Sequence, residues 1–314
     1  MKRTLKQYLA VVLKGMGMGA ADVVPGVSGG TIALISGIYE ELIDSIKSIN
    51  LSSVKLLLKF KFKEFAEAIN FKFLLSLICG IGISIVSIAQ VLIYFLETQP
   101  ILLWSFFFGL IAASTILIGR KIRSKNISNL IAILAGAIVA YYITSSTPTE
   151  TSTEWWFIFL SGAIAICAMI LPGISGAFIL LLLGKYHFIV SALGELKIAT
   201  IAIFVAGAAT GILSFSNILS WLLKKYHNLT IATLTGFMFG SLNKVWPWKE
   251  TVKTYTNSHG IEKPLVQVNI LPSTYTEINN EASLLVWAII LAIVGFISIW
   301  LLEKTSNHYT KEEI

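Results

Sequence analysis

The chain has 314 residues, of which 55% are hydrophobic and only 13% charged, with a net charge of +7. A mean hydropathy of +0.78 lies far outside the range of soluble domains and excludes an ordinary soluble enzyme. Lys and Arg sit in short loops between apolar runs rather than along one basic face, so the membrane surface, not nucleic acid, is the partner they fit.

The opening stretch, "MKRTLKQYLAVVLKGMGMGAADVV", has the basic start of a secretory signal. Lys14 interrupts its apolar run, however, and the segment continues straight into a motif, so it reads as mature structure. Short, glycine-rich and charged, it suits a half-helix better than a lipid-facing span. The motif that follows, "PGVSGGTIALISGIY" at 25 to 39, returns as "PGISGAFILLLLGKY" at 172 to 186, with 8 identities in 15 positions. Pro25 and Pro172 lack an N–H and disfavour helix in the residue before them, so the backbone breaks there and a new helix begins just after. Gly26 and Gly173 permit the turn, and Ser28 and Ser175 can cap the helix that follows.

After the first motif comes an extra segment near 50 to 70, where Leu51, Val54, Leu57 and Leu58 alternate with Lys55, Lys59, Lys61 and Lys63. It reads as an amphipathic helix on the inner leaflet, where it meets anionic lipids. Spans are expected near 73 to 96, 101 to 119 and 128 to 144, and, after the second motif, near 198 to 223, 229 to 245 and 283 to 302. "CGIGISIVSIAQ" (79 to 90) lies over "AGAATGILSFSN" (206 to 217), and "FFGL" (107 to 110) over "LTGF" (234 to 237), in one register once the insertion is removed.

Each copy is therefore a re-entrant or broken-helix hairpin followed by three transmembrane helices. The first repeat covers 1 to 144 and the second 154 to 305 within a single all-α integral membrane domain. A hairpin that leaves on the side it entered plus three crossings gives an odd count, so the second copy is expected to be inverted, as in secondary transporters. Loop charges agree: "GRKIRSK" and "KKYH" fall inside, "ETQP" and "TSSTPTETSTE" outside, and both termini are placed in the cytoplasm. The long loop 246 to 282 falls outside, and "VQVNI" within it alternates like a strand of a small hairpin lid. Trp155, Trp156, Trp246 and Trp248 suit an interfacial belt. The 2 Cys and 4 His show no ligand spacing, so no metal, disulfide or cofactor is assigned.

Two helix N-termini that meet at a break in the membrane form an anion site. Gly26, Ser28, Gly29, Gly30, Thr31, Gly173, Ser175 and Gly176 are its candidate phosphate contacts, with Lys14 as an added charge. The competing reading is that Pro-Gly makes a kink and the small residues let helices pack. Asp22, matched by Met169 in the second copy, is an ionisable group at membrane depth. It is either a proton-coupling residue, repelled by a bound anion into taking up a proton, or a helix cap. Glu40, Glu41 and Asp44 read as a solvated cytoplasmic face. Tyr39 and Tyr186 match between copies and are either gate residues or packing.

At these motifs the sequence is similar to the bacterial polyprenyl-phosphate transporter family, whose signatures resemble "GMGMGAADVVPGVSGGTIALISGIYEEL" and "LPGISGAFILLLLGKY". The resemblance covers nearly the whole chain. It implies a flippase of the bacterial cytoplasmic membrane that returns undecaprenyl phosphate from the outer to the inner leaflet for cell-wall assembly. Ala177 departs from the small polar residue expected there, which weakens a direct side-chain contact. Two other classes use similar parts. A transporter or channel for a small inorganic anion needs the same backbone site. An undecaprenyl-pyrophosphate phosphatase carries a similar Pro-Gly-x-Ser-Arg-Ser stretch, but here Gly29 and Gly30, or Gly176 and Ala177, follow the Ser, and no Arg stabilises a transferring phosphoryl group. No catalytic residue is assigned.

Overall fold

A computed structural model describes residues 3–24, 26–124, 126–256 and 262–311. In chain order the helices of the first half are α1 (Leu5–Val23), α2 (Gly29–Ile35), α3 (Tyr39–Lys47), α4 (Leu51–Leu58), α5 (Phe62–Ala68), α6 (Phe71–Ser87), α7 (Ala89–Thr98), α8 (Pro100–Arg120) and α9 (Ile127–Ser145). The second half contains α10 (Trp155–Ile170), α11 (Gly176–Leu182), α12 (Tyr186–Gly194), α13 (Ile198–Lys225), α14 (His227–Ser241), β1 (Lys249–Thr256), β2 (Glu262–Asn269), α15 (Pro272–Asn279) and α16 (Leu285–Lys311).

Four helices, α8, α9, α13 and α16, are long and apolar enough to cross a membrane, and the number becomes six if the bent pairs α5 with α6 and α11 with α12 each count as one span. This is a multi-pass helical membrane protein. Large apolar side chains such as Ile138 and Val286 cover its outer surface, as a lipid-facing surface requires.

Several boundaries differ from expectation. The first long span is divided at Ile88 into α6 and α7, and α14 ends at Ser241 instead of 245. α1 is no half-helix: a capping box at Thr4 starts it and 19 residues follow, about 28 Å at the α-helical rise. The basic insertion forms two helices, not one, because Phe60 turns the chain through the left-handed region at φ 58°. Its apolar residues stay outside the core, with Leu51 at 81% and Phe60 at 79% exposure.

Helix pairing follows the duplication. α1 packs along α6 and α10 along α13, while α8 pairs with α16 and α9 with α14, so the two halves exchange their last two helices. Small residues make these approaches close: a Cβ at Gly109 would collide with the Ala292 carbonyl, and one at Gly236 with that of Ile133. The core lies where Val24, Val27, Ile32 and Ile35 of the first motif meet Trp104, Ile111, Leu234 and Met238. Every residue of α2 is buried, its one polar side chain, Thr31, included. β1 and β2 form an antiparallel hairpin that sets Lys249 opposite Asn269, and its second strand contains most of the expected "VQVNI" strand.

Candidate functional site

The two motifs meet. Gly26 (φ 89°) and Gly173 (φ 84°) turn the chain in the left-handed region that a side chain resists, and each turn delivers a short helix back along its own hairpin. Ser28 caps α2 by accepting the Gly30 N–H at 3.1 Å, and Ser175 caps α11 by accepting that of Phe178 at 3.4 Å. The Ser28 hydroxyl lies within donating distance of two carbonyls of the other hairpin, Met169 at 3.1 Å and Leu171 at 3.2 Å. Thr31 Oγ1 accepts the Gly173 N–H at 3.0 Å. The buried Tyr39 hydroxyl donates to the Ile170 carbonyl at 3.2 Å. Gly30 allows this approach, since a Cβ there would sit 2.4 Å from the Ile170 oxygen. Gly176 packs against α10, and Pro172 is buried beside the second turn; Pro25 lies outside the described residues.

Two of the expected anion donors, the Gly29 and Gly30 N–H groups, already have acceptors. Asp22 Oδ1 accepts the Gly29 N–H at 2.7 Å, so this carboxylate caps α2 together with Ser28. Its other oxygen, Oδ2, is buried without a hydrogen-bond partner among the described residues. Lys14 is not near the tips: its ammonium donates to the Ser36 carbonyl at 2.7 Å, at the far end of α2. One turn of α1 separates neighbouring side chains by about 5.4 Å, which sets Lys14 two turns short of Asp22. Tyr186 opens α12 and stacks edge-on against His187, away from the tip contacts that Tyr39 makes.

The acidic residues of α3 are more than a solvated face. Glu40 pairs with His227 at 3.1 Å, Glu41 with Arg3 and with Asn70, and Asp44 with Ser220 at 2.7 Å and Lys224 at 2.9 Å. One short helix is thereby tied to the residues that lead into α1 and α6 and to α13 and α14. The loops predicted inside gather at this end. Those predicted outside gather at the other, where Asn243 bonds to Ser145 and Asn269 bonds to Asn243.

At that second end lies a cavity of about 280 Å³ that the sequence reading missed, lined in part by Lys244, Lys249, Asn243, Thr144 and Phe178. Lys244 presses its side chain on Gly26, and its ammonium sits 4.3 Å from the Phe178 ring centroid. Lys249 reaches back from β1 to donate to the Lys244 carbonyl at 2.7 Å, 3.9 Å above the Trp104 ring. Burial, and secondarily the charge of Lys244, hold the Lys249 ammonium well below the ordinary lysine range. Neither lysine forms an ion pair with a carboxylate among the described residues. Sequence could have flagged them only as charges flanking "WPW"; what joins them is the β-hairpin. No three His, Cys, Asp or Glu side chains among the described residues come together to hold a metal.

Residues 18–263 match the undecaprenyl phosphate translocase-like family. The chain belongs to this family. The matched span contains Asp22, both hairpin tips, Lys244 and Lys249. Among curated relatives, the chain is 46% identical to a polyprenyl-phosphate transporter of Vibrio cholerae serotype O1 over 297 residues, 95% of this chain and 96% of that one. It is also 33% identical to a polyprenyl-phosphate transporter of Staphylococcus aureus over 256 residues, 75% of this chain and 85% of the relative. No solved structure matches.

Proposed function

We propose that this protein moves polyprenyl phosphate, in the cell undecaprenyl phosphate, across the bacterial cytoplasmic membrane by alternating access of two inverted hairpins. The observation that carries the reading is the direct contact of the repeated motifs, Ser28 and Thr31 of one with Met169, Leu171 and Gly173 of the other. The first hairpin is closed by Arg3 and Glu41, the second by the Lys185 ammonium on the Thr151 carbonyl, at the two opposite ends. Inverted repeats account for this arrangement, and positive-inside charge puts the α3 end in the cytoplasm. The names of the relatives supply the cargo.

In the state described here the α3 end is latched by ion pairs and the opposite end holds the cavity. A phosphate head enters there and passes the tips when they part. There it replaces the Asp22 carboxylate as acceptor of the Gly29 N–H. The displaced Asp22, already short of one partner and now beside an anion, takes up a proton, which links transport to the proton gradient. Hydrolysis finds little support at the tips, since neither Ser is followed by the Arg of the phosphatase stretch and the one carboxylate there among the described residues, Asp22, accepts the Gly29 N–H.

The test is movement of undecaprenyl phosphate in proteoliposomes, with and without a pH gradient. Transport that fails in Ser28→Ala/Ser175→Ala and loses its pH response in Asp22→Asn is expected. Flux of inorganic phosphate or chloride without lipid movement would replace the lipid carrier with an anion carrier.

A further inference from the structure

We propose that Lys244 and Lys249 form the first binding site for the phosphomonoester head, on the face away from α3, and that the prenyl tail leaves this site sideways along the end of α9. The proposal rests on the transport reading above and adds to it a site apart from the hairpin tips.

Two lysines converge on one cavity, and no carboxylate among the described residues lines it. A partly buried, unpaired charge is costly, and two that repel each other are more so. Packing alone gives no reason to keep them, because an apolar side chain of similar length would fill the space without that cost. An ammonium has three donors. Lys249 spends one on the Lys244 carbonyl, and Lys244 has the face of Phe178. The donors left over, together with the one Asn243 amide N–H not given to Ser145, fit a dianionic phosphate.

The dimensions agree with a head group alone. About 280 Å³ lies at the small end of ligand pockets, which run roughly 300–1,000 Å³, and leaves no room for a long isoprenoid. A shallower groove continues from Ser145 and Thr147 to Tyr142, whose side chain is 75% exposed on α9. Beyond it Ile131, Ile138 and Val139 form an exposed apolar strip on the same helix, a surface suited to an acyl-like chain in lipid. The site also touches both hairpins. Lys244 leans on Gly26 at the tip of the first, and Phe178 belongs to α11 of the second, so a head that neutralises Lys244 acts on both moving parts.

The test is equilibrium binding of farnesyl phosphate, inorganic phosphate and farnesol to purified full-length protein, with thermal stability measured in parallel. Farnesyl phosphate is expected to bind about tenfold more weakly to Lys244→Gln and to Lys249→Gln. Removing a repelling charge should leave the melting temperature equal or higher. Lys249→Arg should restore most of the affinity. Farnesol should not compete, and inorganic phosphate should bind more weakly than farnesyl phosphate. Equal binding of inorganic and farnesyl phosphate would overturn the tail path. Lost binding accompanied by a lowered melting temperature would make the lysines structural and overturn the site. Gln variants that bind as wild type while wild type still translocates undecaprenyl phosphate would overturn the site and leave the transport reading standing. Wild type that neither binds nor translocates the lipid would overturn both.

Discussion

Thr31 is completely buried, and its hydroxyl oxygen is the acceptor for the Gly173 N–H at the second turn. Thr31→Val keeps the shape and leaves that N–H without a partner, a loss of about 1–3 kcal/mol. Thr31→Ser should retain most of the stability, and thermal melts of the three proteins in one detergent check both statements. The contrast between Asp22 and Met169 belongs to the same scale. In the first copy a carboxylate caps the returning helix; in the second the equivalent residue offers the Ser28 hydroxyl only its backbone carbonyl. Lys249 gives the pH dependence. Because burial lowers its pKa, the neutral amine appears at a lower pH than in an unfolded chain. The free protein therefore gains stability as pH rises from the depressed value toward 10.5, while affinity for an anion falls over the same window. A phosphomonoester is already dianionic above about pH 7, so its own titration does not mask the fall. Lys244 and Tyr141 are the other titratable groups lining the cavity. Burial pushes Lys244 down to about 8, so farnesyl phosphate should lose affinity as pH rises through the titration of both lysines, and Lys249→Gln should remove only the part of that slope that Lys244 does not carry.

Elements defined by long apolar runs were legible in the sequence. α8, α9 and α13 fall within two residues of the expected spans and α16 starts within two of its own but runs nine residues further, to Lys311, because apolar length specifies where such helices lie in the membrane. The duplicated Pro-Gly-x-Ser-Gly signalled two breaks, and both turns and both Ser caps are there. Three other features were not legible, each for a physical reason. Lys14 was assigned to the tips because it precedes the motif, but α1 is a continuous helix and sets Lys14 beside Ser36 instead. The acidic run on α3 is solvated in part, with Glu40 and Asp44 side chains 62% and 45% exposed, but its partners, Arg3, Ser220, Lys224 and His227, were not legible because they come from distant parts of the chain. Lys244 and Lys249 escaped for the opposite reason. They are close in sequence, but only the pairing of Lys249 with Asn269, and the hold of Asn269 on Asn243, aims both into one cavity.

The whole molecule is asymmetric although its parts are repeated. α3 binds four neighbours through charged and polar side chains, whereas α12, its counterpart after the second motif, carries none of those acids, and the cavity lies at the opposite end. Under the alternating-access reading proposed above the α3 end opens, and the exposed Asp44–Lys224 pair, worth no more than about 1 kcal/mol, is weak enough to break. A covalent tie across that end should therefore trap the state described here. Cysteines in place of Asp44 and Ser220, whose side chains touch at 2.7 Å, give the tie when joined through two disulfides by a short bifunctional methanethiosulfonate. Cys79 and Cys167 are replaced by Ala beforehand, since Cys79 is exposed and would react. The linked protein is expected to bind farnesyl phosphate with unchanged affinity, because the cavity between Lys244 and Lys249 stays open. Translocation of undecaprenyl phosphate should stop and return on reduction. If the linked protein translocates at the unlinked rate, the contact between α3 and α13 does not open during transport, and the head group must leave by another route.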